Sequence, residues 1–405
     1  MPHAPLSLFL GVSLIAAGSL PAAAQATAGL ELPHDNATLT TVLKESQLTA
    51  QFGGSYLDQL KLAVLPNGDV VFAGASQSSN IELYHLNVTT GFVTRIVTTQ
   101  QIQQVTGYPI TLSAWIDVDG MAADASGNVY VFVHGWDWML QGPADLHLLQ
   151  VPLSGAAPAG FGAPVSLFSK PHAIAGEITM DIDLIGNLHL VVDDGDPVND
   201  ALPGPLPNGV YTLPHGTTSP QLLATYASLA PVLSGGGPLL TGDVTTHEDI
   251  GARNVAAGLF KTYLTMSETS NSGVSWDTTA GELHDGDIVE VDHVTGLGKV
   301  LVPKRRYLEV TNSLFQMDRG LRTNVRDISL VADLQRNRLY TWENDYQWTG
   351  PYRHLSLLQW DLATGAFERV VVPHKQVVDL WAQDGDTPLV GSFILHNLVP
   401  KGDSM

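Results

Sequence analysis

The chain has no cysteine in 405 residues, which excludes disulfides, thiolate metal sites and a cysteine nucleophile together. Positive charge is scarce as well: 19 Lys and Arg stand against 40 Asp and Glu, for a net charge of -21. A surface of that sign disfavours nucleic acid and anionic membranes as partners and favours divalent cations. After the N-terminus no segment is long and apolar enough to span a bilayer. Several catalytic signatures are also missing: there is no G-x-S-x-G elbow, no Walker loop and no G-x-G-x-x-G. Thr246-His247-Glu248 lacks the second histidine that would make it an H-E-x-x-H zinc motif.

What is present is a folded, turn-rich chain. Apolar residues make up 44% of it and charged residues 15%, while its 39 glycines and 24 prolines are spread among turns rather than gathered in a tail. The first 26 residues read as a secretory signal. Leu6–Leu20 is an apolar stretch too short for a standalone membrane anchor, and the small-residue run Ala22-Ala23-Ala24-Gln25-Ala26 after Pro21 offers cleavage after Ala24 or Ala26. The departure from the usual pattern is that no Lys or Arg precedes the apolar core. The expected location is periplasmic or extracellular.

The stretch Asp117–Phe132 (DVDGMAADASGNVYVF) organises the rest. Two short apolar runs flank the hinge Ala125-Ser126-Gly127-Asn128, a composition suited to a tight hairpin at positive φ. Echoes recur in Leu62–Ala73, Ile178–Val192 and Ile328–Trp342, with a less regular copy at Val255–Met266. Each is followed by a second hairpin: Ile81–Val97, Leu146–Leu167, Val210–Ala224, Ile288–Val302 and Leu355–Val372. A sixth unit begins at Val377 and lacks one strand, which Thr38–Leu43 supplies from the N-terminal end. The expected fold is therefore all-β, a single six-bladed β-propeller over residues 27–405 whose N-terminal strand closes the last blade. Six units average about 64 residues each, against roughly 40–50 in common propeller repeats, so the excess lies in loops. A pair of two-sheet sandwiches would not produce this alternation of inner and outer hairpins.

Gly120–Phe132 (GMAADASGNVYVF) resembles the blade signature of NHL-type, strictosidine-synthase-like and gluconolactonase (senescence-marker-type) six-bladed propellers. The motif is about a dozen residues long. Such families include calcium-dependent lactonases, arylesterases, streptogramin lyases and plain binding modules, and no string in this chain matches a diagnostic active-site set among them.

The hairpin order places tight turns on one face and long, chemically loaded loops on the other. The long loops carry Trp136, Trp138, Trp276 and Trp348 with Tyr346 and Tyr352, which either stack on a planar or sugar ligand or wedge the loops onto the rim. Ahead of two inner strands the same spacing repeats: His172 precedes Glu177 as His374 precedes Asp379. Asp58, Asp119 and Asp327 open the inner strands of blades one, two and five, so the expected metal set is Glu177, Asp379, Asp58, Asp119 and Asp327. Like carboxylates around a narrow mouth raise one another's pKa unless a cation or hydrogen bonds compensate them. Oxygen ligation points to calcium, and recruitment of histidine to zinc or manganese. His172, His374, His247 and Glu248 are the candidate proton carriers, and Arg253 joins the tryptophans and Tyr346 as a substrate-binding candidate. Taken singly, each acid is equally explained as a cap on backbone N–H groups.

Three functions fit these residues. The first is an exported metal-dependent hydrolase of a lactone or ester, in which the cation polarises a carbonyl and a histidine moves protons. The second is a non-catalytic propeller that binds a glycan, peptide or partner protein through its aromatic loop face. The third is a metal-assisted lyase. A monomer with a small-molecule or glycan ligand, no nucleic acid and no membrane span is expected.

Overall fold

The computed structural model describes residues 6–10, 13–19, 37–43, 45–52, 61–75, 81–108, 114–137, 146–156, 159–170, 177–193, 209–229, 232, 248–270, 286–314, 328–343, 356–373, 376 and 399–400. Three strands come first: β1 (Leu6–Leu10), β2 (Ser13–Ser19) and β3 (Ala37–Leu43), followed by α1 (Glu45–Phe52). Blade one is β4 (Leu62–Val64), β5 (Val70–Ala75), β6 (Ile81–Asn87) and β7 (Phe92–Val97). Helix α2 (Thr99–Thr106) leads to blade two, made of β8 (Ala114–Ala123), β9 (Val129–Asp137), β10 (Leu146–Val151) and β13 (Val165–Lys170). A small ribbon of β11 (Leu153–Ala156) and β12 (Gly160–Phe161) interrupts its last connection. Blade three is β14 (Glu177–Ile182), β15 (Leu188–Asp193), β16 (Gly209–Leu213) and β17 (Gln221–Ala224), followed by the single-turn helix α3 (Tyr226–Leu229). Blade four is β18 (Glu248–Ala257), β19 (Lys261–Ser270), β20 (Ile288–Asp292) and β21 (Gly298–Val302), with α4 (Lys304–Leu314) after it. Blade five is β22 (Ile328–Asp333), β23 (Arg338–Glu343), β24 (Leu357–Asp361) and β25 (Phe367–Val372), and β26 is Val399–Pro400.

Every blade is an antiparallel four-stranded meander in chain order, and the first strand of one lies beside the first strand of the next. The chain is a β-propeller.

Local chemistry explains the repeat. In blade two the Asp124 amide donates to the Asn128 carbonyl, Gly127 takes φ +85°, and the Asp124 carboxylate accepts from the Ser126 and Asn128 amides at 2.9 Å each. Asp183 and Gly186 (φ +91°) repeat this in blade three. The closing turns of the outer hairpins use a different device: Oδ1 of Asp292 and of Asp361 accepts from the amide and hydroxyl of the threonine three residues on. Aspartate at a turn thus supplies acceptors for amides that the ladder leaves without partners.

The core is distributed between blades rather than concentrated at a centre. One apolar cluster joins blades one and two around Val71, Ile102, Val131 and Leu149. Others join two to three (Phe132, Leu148, Leu190), three to four (Val191, Leu264, Val289) and four to five (Tyr307, Leu330, Trp360). Each interface buries large side chains completely, at about 1.5–3 kcal/mol apiece, so the blades hold one another.

Two expectations are corrected. Five blades are seen where six were predicted, because the remaining four-stranded sheet is not a sixth copy: its order is β26-β1-β2-β3, drawn from both ends of the chain. It stands between blade five, where β26 meets β22 and β3 meets β25, and blade one, where Leu43 joins Leu62, Phe72 and Tyr84 in a cluster. The N-terminal strand over Thr38–Leu43 does form and does close the ring, but its partner is Ser13–Ser19 of the apolar N-terminal segment. The unit proposed from Val377 lies outside the described residues.

Candidate functional site

The inner ladders of blades two to five keep one register, counted from the hinge, which makes their positions comparable. Ile182 of blade three faces Leu188 and Ile178 faces Val192, without interruption. Blade five is equally regular, with Ile328 opposite Glu343. Blades two and four are not. In β8 the register breaks between Val118 and Gly120, and in β18 between Ala252 and Asn254. Asp119 and Arg253 are therefore each the one extra residue of a β-bulge, at the same height on the innermost strand. Shifts also occur between the third and fourth strands, but there they recur in all five blades and belong to the architecture. The inner bulges are local, and bulges of this kind serve to re-aim a side chain.

The blade-two bulge produces a defined pair. His134, on the facing strand, places Nδ1 2.8 Å from Asp119 Oδ2, and the two side chains are only 10% and 11% exposed. A carboxylate on Nδ1 fixes the tautomer that carries its proton there and makes Nε2 the basic nitrogen. Next to it, a Cβ on Gly120 would approach the Ile178 carbonyl and the Met180 side chain to 3.1 Å. Glycine at this position lets β8 and β14 come together.

Glu177 opens β14 as expected and stands directly opposite Asp193 in the ladder. Among the described residues no group of three or more metal-ligating side chains is assembled.

Asp119 is not the counterpart of Glu177, since the register makes Asp117 on blade two and Gly251 on blade four equivalent to it, and Asp119 is instead engaged with His134. Asp58, Asp327, Asp379, His172, His247, His374, Trp138, Trp276, Trp348, Tyr346 and Tyr352 lie outside the described residues. Glu248 begins β18 opposite Ser270, and Arg253 lies within the same strand. Trp136 is on β9, paired across the ladder with Trp115. Sequence reasoning passed over His134, Trp115 and Asp117. The signal for the bulges was present: buried Val118 and Met121 are three residues apart, as are Ala252 and Val255, where the regular strands place Ile178 and Met180 two apart.

A second polar cluster lies at the hinge end, between blades three and four. His189 Nδ1 is 2.7 Å from Thr262 Oγ1, which is 3.0 Å from His293 Nε2, while His189 Nε2 is 3.4 Å from Asp183 Oδ2. The order hydroxyl, imidazole, carboxylate resembles a catalytic triad. His189 and Thr262 are fully buried, however, and nothing can reach the hydroxyl. Asp181 nearby accepts the Ala257 amide of the next blade at 2.7 Å, and burial raises its carboxyl above the ordinary value. This cluster ties two blades together.

No protein-family model matches the chain and no curated protein matches it. Solved structures similar to it include TolB from Acinetobacter baumannii, at 12% identity and TM-score 0.46 over 92% of this chain and 63% of that one. The Hadza microbial sialidase Hz136 is similar at 10% identity and TM-score 0.44, over 78% of this chain and 58% of that one. AofleA from Arthrobotrys oligospora is similar at 10% and 0.41, over 95% and 81%. The chain thus spans less than two thirds of the length of the first two.

Proposed function

We propose that the protein is an exported hydrolase of a small lactone or ester, acting at the channel mouth on the long-loop side. The observation that carries this reading is the bulge at Asp119, which takes one residue out of the ladder and sets its carboxylate on His134 Nδ1 at 2.8 Å. An imidazole oriented in this way takes a proton from water as the water oxygen attacks the carbonyl carbon. It then returns that proton to the alkoxide released when the C–O bond breaks. A divalent cation, calcium in first place, would be held by Glu177 and Asp193 together with carboxylates from neighbouring blades, and when bound it would supply polarisation of the carbonyl.

Purified protein assayed on a panel of lactones and aryl esters, with and without chelator, tests the reading. Turnover is expected to fall on chelation and to return with calcium. His134→Gln is expected to lower kcat by roughly 10²–10⁴-fold. A His134→Gln protein as active as its parent would overturn the role of the pair, and a panel left intact by the parent would overturn the hydrolase.

One observation favours a binding module instead: Trp115 and Trp136 stand opposite each other in the register at the loop end of blade two, two residues beyond Asp117 and His134. On that reading a glycan titrated into the protein quenches tryptophan fluorescence while no substrate of the panel is turned over.

A further inference from the structure

The tight turns differ between blades in a way that their own chemistry does not require. In blade three Asp183 accepts from the amides of Ile185 and Asn187, and in blade two Asp124 accepts from those of Ser126 and Asn128, with a glycine at positive φ in both. Leu184 and Ile185 therefore occupy the places of Ala125 and Ser126. The closing turns of blades four and five match equally well. Asp292 and Asp361 each hold the threonine three residues on, whose hydroxyl accepts the amide of Leu297 in one blade and of Ala366 in the other. Val294 and Leu297 thus stand where blade five has Ala363 and Ala366. At all four positions a large apolar residue replaces a small one, and Leu184, Ile185, Val294 and Leu297 are 62%, 62%, 89% and 70% exposed. Phe260, in the inner turn of blade four, is 70% exposed. The three turns are contiguous: Thr262 bonds His189 of blade three at 2.7 Å and His293 of blade four at 3.0 Å, and the His293 amide donates to the Phe260 carbonyl.

We propose that the tight-turn face of blades three and four docks a second copy of the chain in a two-fold symmetric dimer, in place of the monomer expected from the sequence. One self-complementary patch then serves both copies. Area and charge both fit this occupant. At about 150–250 Å² for a large side chain, the five exposed residues present on the order of 500 Å² of mostly apolar surface. A stable interface covers about 800 Å² per partner, of which roughly 60% is apolar. Two chains of net charge -21 repel unless they meet where charge is low. Residues 209–229, the outer half of blade three, contain no Asp, Glu, Lys or Arg. On blade four Lys261 and Lys299 lie 2.8 and 3.7 Å from Glu290, and both Glu290 and Asp183 are buried, which leaves Asp292 as the exposed acid of these turns. The proposal concerns the face away from the long loops and does not depend on hydrolysis.

Sedimentation equilibrium of the full chain tests it. The weight-average mass is expected to rise from monomer toward dimer between about 1 and 100 µM. A fourfold variant, Leu184→Ala, Ile185→Ser, Val294→Ala and Leu297→Ala, installs the residues of the matching turns and keeps their aspartate-centred hydrogen bonds. It is expected to weaken the dimer at least about tenfold while leaving the circular dichroism spectrum unchanged. Val294→Arg, a single change at the most exposed of these positions, is expected to weaken it as well and guards against a folding defect in the first variant. A parent that stays monomeric over the whole range, or a dimer of equal strength in parent and both variants, overturns the proposal. A monomeric parent that floats with vesicles of neutral phosphatidylcholine, and no longer does so in the fourfold variant, also overturns it and assigns the patch to a lipid surface.

Discussion

Asp183 and His293 carry opposite charges when ionised, yet both make the fold depend on pH in the same direction. Burial would raise the Asp183 carboxyl, but hydrogen bonds from His189 and Asn187 hold it below its ordinary value. Burial, with His189 beside it, lowers His293. In each case the unfolded chain takes up the proton first, so stability is lost as pH falls, from about 6.5 downward for the histidine and below about 4 for the aspartate. Asp181, raised by burial, acts in the reverse sense in the acid range. The midpoint of urea unfolding is therefore expected to decline between about pH 6.5 and 5, and His293→Gln should flatten that part of the curve. Thr262→Val removes the hydroxyl shared by both rings and is expected to cost about 2–3 kcal/mol in the same measurement. Asp124 is the blade-two counterpart of Asp183: its Oδ2 also accepts from Tyr130, whose hydroxyl is pushed up to about 12 by burial and the Asp124 charge. Asp124→Ala is expected to lower the unfolding free energy by about 1–3 kcal/mol in the same measurement.

At the scale of the strand, the hinges were legible and the bulges were not read. Gly127-Asn128 and Gly186-Asn187 announce positive φ and a returning strand, and those hairpins formed where the turn chemistry put them. A bulge has no composition of its own. It shows only as a slip in alternation, and Gly120 and Asn254 beside the slips gave no apolar contrast to reveal it. The acids ahead of the strands were read as one ring because counting along the chain ignores the extra residue, whereas the ladder assigns Asp117 and Asp119 to different levels. The same comparison yields a prediction. Blades three and five show that the inner ladder closes without the extra residue. Deleting Asp119 should therefore leave the circular dichroism and melting temperature near those of the parent while abolishing hydrolysis. Gly120→Ala should do the reverse, retaining the pair but costing about 1–3 kcal/mol as its Cβ meets the Ile178 carbonyl at 3.1 Å.

For the whole molecule, the count of repeats in the sequence came within one blade of the ring because every hairpin carries its own turn chemistry. The closing strand over Thr38–Leu43 was legible too, whereas the pairing of Leu6 and Ser7 with Pro400 and Val399 was not, since those ends lie more than 350 residues apart and pairing across such distances leaves no local pattern. Leu6 and Ser7 pair with Pro400 and Val399, and Leu14–Ser19 pair with Ala37–Leu43. A chain beginning at Thr27 has neither β1 nor β2, so β3 and β26 lose their partners together. It is expected to melt several degrees below the full chain by calorimetry, since a few kcal/mol moves the transition of a domain by that order.

The same apolar residues that fill this sheet are those that read as an export signal, and one segment cannot be presented to a membrane and hydrogen-bonded inside a ring at the same moment. A precursor that completed its ring first would conceal its own address. If the segment acts as an export signal, passage across the membrane has to come before closure, in an unfolded chain, and any condition that speeds folding in the compartment of synthesis should leave more protein behind. Pulse-labelled precursor would reveal it, as a protease-resistant, full-length fraction that grows when translation is slowed and shrinks when β2 is interrupted by a proline.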